Sequence, residues 1–180
     1  MNTEVMMEKT VASQTIYDGK IIKVKVDDVQ LPNGKTAKRE IVNHPGAVAV
    51  MVITDDNRMV MVRQFRKPLE RMLVEIPAGK LEPGENPEAC ARRELQEETG
   101  YTCASLRHVA SFYTSPGFAD EIVHLYRAEG AKPGTAQPDE DEFVEVMYVT
   151  PEEAQRLIAS GDIRDAKTIL AVYAWQLNAK

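Results

Sequence analysis

The sequence has 180 residues, of which 28 are acidic and 22 basic, and its net charge is −6. This length suffices for one substantial domain with an appendage, and the acidic balance argues against a nucleic-acid surface, because that binding depends on cations that neutralise phosphates. The longest apolar run, 46–53, is far shorter than the ~20 residues that span a bilayer, and the N-terminus lacks a signal-peptide pattern. Cys90 and Cys103 have neither metal-binding nor redox spacing. We therefore expect a cytoplasmic protein with no membrane or nucleic-acid partner.

Residues 1–43 are predicted to form a small antiparallel sheet. Asn33-Gly34 lies between two runs of alternating hydrophobicity, which is a strong hairpin signal. A few strands without a partner are only marginally stable. This segment is therefore expected to pack on the rest of the chain or on a second copy of it. Its predicted strands are 10–17, 21–29 and 37–42.

Residues 44–180 are predicted to form the main domain, which begins at His44-Pro45-Gly46. Short apolar strands alternate with amphipathic helices, and this order favours an α/β fold in which a mixed sheet lies between helices on its two faces. Trp175 is expected in the core or at an interface rather than in contact with a ligand. The predicted strands are 47–54, 59–65, 73–76, 104–113, 121–128 and 143–149, and the predicted helices are 87–99, 151–160 and 165–177.

The helix predicted at 87–99 begins with a proline, which is well tolerated in the first turn, and ends before Gly100, which suits a left-handed stop. Ala91 and Leu95 are four residues apart and are expected to face the core.

Three glutamates on this helix, Glu94, Glu97 and Glu98, are spaced so that they share one stripe. Carboxylates this close repel each other and need a compensating cation, and oxygen ligands on an open ridge suit a hard ion such as Mg²⁺. Arg93, four residues before Glu97, can pin one carboxylate and orient the others. We expect a solvent-facing ridge that binds metal; the alternative is a solvated acidic face.

Two further charged stretches are candidates for substrate contacts. Arg63 lies in the strand predicted at 59–65 and Arg66 directly follows it. Arginine forks suit phosphate oxygens, and a solvated charge run is the alternative. Residues 129–138 are polar, with two prolines and two glycines, and are interpreted as a mobile loop. The acidic run 139–142 follows this loop.

The stretch 79–101, GKLEPGENPEACARRELQEETGY, matches the Nudix box at each of its fixed positions, and the chain therefore resembles the Nudix hydrolases. Enzymes of this family cleave a nucleoside diphosphate linked to another moiety. Pro116 lies sixteen residues after Gly100, which in this family marks the ADP-ribose pyrophosphatase branch. The resemblance covers nearly the whole chain.

The resemblance implies a Nudix α/β/α sandwich with a mixed sheet and a small N-terminal sheet that builds an intertwined homodimer. It implies hydrolysis of ADP-ribose, a nucleotide-sugar, to AMP and ribose 5-phosphate with Mg²⁺, or Mn²⁺ in its place. The metal ligands it implies are the Ala78 carbonyl, Glu94, Glu97 and Glu98, with Glu82 or Glu85 in support. The catalytic residues are Glu140 as general base, with Glu142 as the alternative, and Glu97 and Arg93. The substrate-binding residues are Arg39, Arg63, Arg66, Glu121, Pro116 and Tyr17.

Three rival functions are considered. The nearest is a pyrophosphatase for other ADP-sugars or for GDP-mannose, which only substrate profiling separates from an ADP-ribose enzyme. A non-catalytic sensor of ADP-ribose is expected to have a broken box, whereas this box is intact. A purely structural acidic domain leaves the arginines and the paired glutamates unexplained.

Overall fold

The computed structural model describes residues 6–137 and 143–177. The strands are β1 (Lys9–Asp18), β2 (Lys23–Gln30), β3 (Thr36–Asn43), β4 (Ala47–Ile53), β5 (Met59–Arg66), β6 (Arg71–Glu75), β7 (Ala78–Lys80), β8 (Ser105–Tyr113), β9 (Ile122–Glu129) and β10 (Val144–Val149). The helices are α1 (Pro87–Thr99), α2 (Pro151–Ser160) and α3 (Ala166–Leu177), and a short 3₁₀ turn covers Lys67–Leu69. None of the helices in these described ranges is long and apolar enough to cross a membrane.

The chain divides into two compact units, and the first contains residues 1–46 and 113–122. Its core element is an antiparallel sheet in the order β1-β2-β3. The predicted hairpin joins β2 and β3, and Gly34 adopts a φ of 82°, which glycine accepts without strain. The loop between β8 and β9 joins this unit because the amide of Val42 donates to the Phe118 carbonyl at 2.8 Å.

The second unit, residues 47–112 and 123–180, contains a seven-stranded mixed sheet. Its main path runs β10-β5-β4-β9-β8, with β6 beside β5 and β7 beside β4. The β4–β9 pair is parallel, whereas β4 and β5 form an antiparallel hairpin. This arrangement places β4 at the centre, where its strand is buried on both faces.

Two hydrophobic clusters cover the two faces of this sheet. Met51 on β4 and Met61 on β5 pack with Trp175 of α3, while Val50 on β4 packs with Leu95 of α1. Alternate residues of one strand therefore serve opposite helical layers, as the period of two in a strand requires. The predicted α/β class, the mixed sheet, the α1 boundaries and the burial of Trp175 are confirmed.

The sequence prediction missed one element, the three-residue strand β7. Residues 77–79 lie outside the predicted strands, but Ala78 pairs with Ala49 of β4. A three-residue strand is too short to show an alternation of apolar and polar residues, and its pairing depends on a partner about thirty residues away. Because β7 carries Ala78 and Gly79, it fixes the segment that faces the glutamates of α1.

Candidate active site

Helix α1 is held at both ends by local interactions. The Asn86 side chain accepts hydrogen bonds from the amides of Glu88 and Ala89, and Pro87 occupies the first turn. Gly100 ends the helix with a φ of 75°. Ala91 and Leu95 are fully buried, which confirms the predicted packing face and directs the neighbouring glutamate stripe toward β7.

Arg93 connects the acidic side chains around the helix. Its Nη1 donates to Glu94 Oε1 at 2.8 Å and to Glu97 Oε2 at 2.9 Å, while Nε and Nη2 each donate to Glu85 at 3.1 Å. These bonds lower the pKa of Glu85 to about 2 and raise the pKa of Arg93. Arg93 therefore holds two of the three stripe carboxylates in place and relieves part of their mutual repulsion.

Glu94 and Glu98 are buried, with only 7 % and 3 % of their surface exposed. The expectation of a solvent-facing ridge is therefore wrong for these two residues. β7 is the reason: the Ala78 amide donates to Glu98 Oε2 at 3.0 Å, and the Glu94 carboxylate lies directly over Gly79. A Cβ on residue 79 would be 1.8 Å from Glu94 Cδ, so only glycine leaves this space for the carboxylate.

The donors at this site fit a hard divalent cation. Carboxylate and carbonyl oxygens are the ligands that such ions prefer, and Gly79 leaves room for the carboxylate of Glu94. Among residues 6–137 and 143–177, no three His, Cys, Asp or Glu side chains already converge into a metal cluster. Arg93 Nη1 contacts one carboxylate oxygen of Glu94 and one of Glu97.

Arg66 is held by a buried carboxylate. Its Nε and Nη2 donate to the two oxygens of Glu75 at 2.6 and 2.7 Å, and Lys167 Nζ donates to Glu75 Oε2 at 2.5 Å. Burial raises the pKa of Glu75, but the two cations outweigh it and bring that pKa to about 2. Arg63, by contrast, is half-exposed, and its Nη1 lies 3.7 Å from Glu145 Oε2.

The remaining expected substrate residues lie in the first unit. Arg39 donates twice to Glu8, at 2.8 and 2.5 Å, and Tyr17 is exposed on β1. Glu121 accepts a hydrogen bond from Thr114 at 2.6 Å, and Pro116 lies in the turn closed by the Ser115 carbonyl.

The loop after β9 is attached to the end of α1. The Gln137 amide donates to the Glu97 carbonyl at 3.0 Å, and Lys132 and Thr102 exchange backbone bonds at 2.8 and 3.0 Å. A Cβ on Gly134 would be 2.7 Å from the carbonyl oxygen of Gly100, so the two backbones approach too closely for a side chain at residue 134. The loop that the sequence predicts to be mobile is therefore hydrogen-bonded to the chain near the end of α1 at two points. Both candidate bases, Glu140 and Glu142, lie outside the described residues.

Sequence reasoning missed Glu75 and Lys167. Glu75 ends an apolar strand, and a lone acid there is usually exposed, yet only 1 % of its surface is accessible. The sequence feature that indicates a buried Glu75 is its position directly before Ile76-Pro77, in a run of residues that otherwise favours burial.

Two family profiles and several relatives match this chain. The NUDIX domain profile matches residues 43–172, and the profile of the nucleoside diphosphate sugar hydrolase N-terminal domain matches residues 8–42. The chain is 59% identical over 172 residues to the ADP-ribose pyrophosphatase of Bacillus subtilis (strain 168), covering 94% of this chain and 93% of that protein. It is 56% identical over 172 residues to the methanol dehydrogenase activator of Bacillus methanolicus, with the same two coverages.

A solved structure described as an ADP compounds hydrolase superimposes with a TM-score of 0.81 at 20% identity, covering 92% of this chain and 90% of that one. At that identity the match supports the fold alone. The profile match to residues 43–172 and the 59% identical relative establish the family. The chain belongs to the Nudix hydrolases, with a nucleoside diphosphate sugar hydrolase N-terminal domain ahead of the NUDIX domain.

Proposed function

We propose that this protein hydrolyses the pyrophosphate bond of ADP-ribose to AMP and ribose 5-phosphate. The observation that carries the proposal is the packing of Glu94 and Glu98 against Gly79 and the Ala78 amide, within a complete Nudix box. The 59% identity to an ADP-ribose pyrophosphatase supports this substrate.

Nudix hydrolases generally need a divalent metal ion, and we assign Mg²⁺, with Mn²⁺ as an alternative, to this protein. Its ligands are Glu94, Glu97, Glu98 and the Ala78 carbonyl. Such an ion, when bound, polarises phosphoryl oxygens and lowers the pKa of a bound water. Arg93 contributes by orienting Glu94 and Glu97, as its bonds to both carboxylates indicate.

The reaction adds one water across the P–O–P bridge. The water oxygen forms a bond to one phosphorus, the bridging P–O bond breaks, and the water proton must be accepted. We assign this proton to Glu140, with Glu142 as the alternative, and a well-placed general base contributes ~10²- to 10⁴-fold.

We assign substrate recognition to arginines, to Tyr17 and to the loop that carries Pro116 and Glu121. Arg66, fixed by Glu75, binds the pyrophosphate, with Arg63 nearby on the same strand. Arg39 is likewise assigned to the pyrophosphate, Tyr17 to the adenine ring, and Glu121, in the loop that turns at Pro116, to the terminal ribose. Arginine forks suit phosphate, and an exposed tyrosine ring suits an adenine face.

The test is incubation of the purified protein with ADP-ribose and Mg²⁺, followed by separation of the nucleotides. We expect AMP and ribose 5-phosphate in equal amounts, and no turnover with EDTA. In the same assay Glu140→Gln is expected to lose at least ~10²-fold in kcat, whereas Glu142→Gln retains activity. If the parent forms no AMP at micromolar enzyme, the proposed function is wrong. If only Glu142→Gln loses activity, the base is Glu142.

Two rival substrates or functions are separated by the same assay. GDP-mannose and other ADP-sugars are compared by kcat/KM, and we expect ADP-ribose to be preferred. The relative from Bacillus methanolicus makes activation of a methanol dehydrogenase a second candidate. If the purified protein hydrolyses ADP-ribose with no dehydrogenase present, the protein itself is a catalyst and does not act only as an activator.

We further propose that residues 1–43 serve as a dimerisation segment for the Nudix domain at 44–180. β1 is exposed along its whole length in a single chain, including Val11, Ile16 and Tyr17. Apolar side chains on an exposed strand favour a protein partner, and a second copy is the simplest. Sedimentation velocity is expected to give the mass of a dimer, about twice 20.1 kDa. A monomer at micromolar concentration would contradict this.

A further inference from the structure

The Arg66–Glu75 pair belongs to a longer network that ends at the start of α3. Lys167 Nζ contacts both Glu75 Oε2 at 2.5 Å and Asp165 Oδ1 at 3.0 Å. Only 12 % of the Lys167 side chain is exposed, and only 2 % of the Glu75 side chain. Lys167 is therefore a largely buried cation that bridges two acids.

The same network is tied to the backbone just before β7. Asp165 caps α3 by accepting from the Thr168 amide at 2.9 Å and from its hydroxyl at 2.6 Å. The Thr168 hydroxyl in turn accepts from the Ile76 amide at 3.0 Å. Because Ile76 follows Glu75 directly, the network fixes the strand end that carries the carboxylate as well as the carboxylate itself.

Arg66 keeps part of its guanidinium available. Glu75 takes its Nε and Nη2, while Nη1 makes no hydrogen bond to any residue in the described ranges. The Arg66 side chain is 39% exposed, and it borders an open cavity of about 300 Å³. The other polar residues that line this cavity are Glu75, Arg164, Asp165 and Lys167.

The charge balance of this group depends on Lys167. Arg66 and Lys167 carry two positive charges against the two negative charges of Glu75 and Asp165, so the four groups are neutral together. Arg164 also lines the cavity, so its charged groups carry a net charge of +1 with Lys167 and of zero without it. Without Lys167 the cavity no longer attracts a dianionic diphosphate, and Arg66 alone balances the Glu75 carboxylate.

We propose that Glu75 and Lys167 are positioning residues for substrate binding: Glu75 fixes the orientation of the Arg66 guanidinium, and Lys167 balances the Glu75 charge so that Arg66 can bind the pyrophosphate. This inference rests on the proposed function. Neither residue touches the reacting atoms, and the effect is expected on affinity rather than on turnover.

The test compares Lys167→Met with Lys167→Arg on ADP-ribose at saturating Mg²⁺. We expect Lys167→Met to raise KM about 10-fold, as the loss of a charge-assisted contact implies, with kcat within about 3-fold. The inhibition constant of AMP is expected to rise in parallel. Lys167→Arg keeps the charge and is expected to restore KM to within about 3-fold of the parent. Glu75→Gln, if it folds, is expected to raise KM similarly.

The matched control is Lys67→Met, which removes the same charge next to Arg66 from a lysine that is exposed and pairs with Glu70. Its KM is expected to stay within about twofold of the parent. Equal KM increases in Lys167→Met and Lys67→Met would overturn the proposal, because the loss of any nearby positive charge would then explain the weaker binding. A lower unfolding temperature for Lys167→Met with an unchanged KM would overturn it too, since the role is then structural only. An inactive parent would contradict the proposed function instead.

Discussion

Glu98→Gln is expected to lower the turnover of ADP-ribose by about 10³-fold while the protein stays folded. Metal-assisted charge stabilisation is worth several kcal/mol, and each ~1.4 kcal/mol changes the rate about tenfold. Glu98 is 3 % exposed, so water cannot simply replace its carboxylate as a ligand. Glutamine has the same shape and retains an oxygen that can accept from the Ala78 amide, the 3.0 Å bond of the parent.

The measurement is kcat over a range of Mg²⁺ concentrations, together with thermal unfolding with and without the metal. Mg²⁺ is expected to raise the unfolding temperature of the parent more than that of Glu98→Gln, since a ligand stabilises only the state that binds it. Glu88→Gln is the matched control, because Glu88 lies on the same helix but is half-exposed and pairs with Arg92. Turnover by Glu98→Gln at close to the parental rate would show that Glu98 is not a metal ligand.

The sequence predicts those parts of the site that depend on local interactions. The bounds of α1 follow from Pro87 and Gly100, which act within one turn of the helix, and both ends agree with the structure. The Arg93–Glu97 contact is likewise local, because residues four apart on a helix are neighbours. The fold class follows from the alternation of strands and helices, which requires no knowledge of individual contacts.

The parts that the sequence did not predict depend on contacts between distant residues. The burial of Glu98 arises from β7, whose Ala78 is twenty positions earlier. The Lys167–Glu75 contact joins residues 92 positions apart, and no periodicity in either segment indicates it. Glutamates this close need a compensating positive charge, and Arg93 supplies part of that charge from within the helix.

The second large effect is expected for Gly79→Ala, which adds a single methyl group. The new Cβ would be 1.8 Å from Cδ and 1.9 Å from Oε1 of Glu94, so the carboxylate must move. Because a carboxylate is the end of a flexible side chain, it can rotate away at little cost to stability. We therefore expect an unfolding temperature close to that of the parent and a loss in kcat of at least ~10²-fold, similar to losing one well-placed electrostatic contact.

A double-mutant cycle with Glu94→Gln tests this mechanism directly, with kcat and Mg²⁺ affinity measured for the parent, both single variants and the double variant. If Gly79→Ala acts only by displacing Glu94, the double variant is expected to be no slower than Glu94→Gln alone, since residues in contact are not additive. If the fold loss in kcat of the double variant equals the product of the two single losses, residue 79 acts independently of Glu94. Full activity of Gly79→Ala would mean that the Glu94 carboxylate does not need the position over Gly79 for catalysis. Full activity of Gly79→Ala would remove the reason for placing a metal ligand at this point of α1.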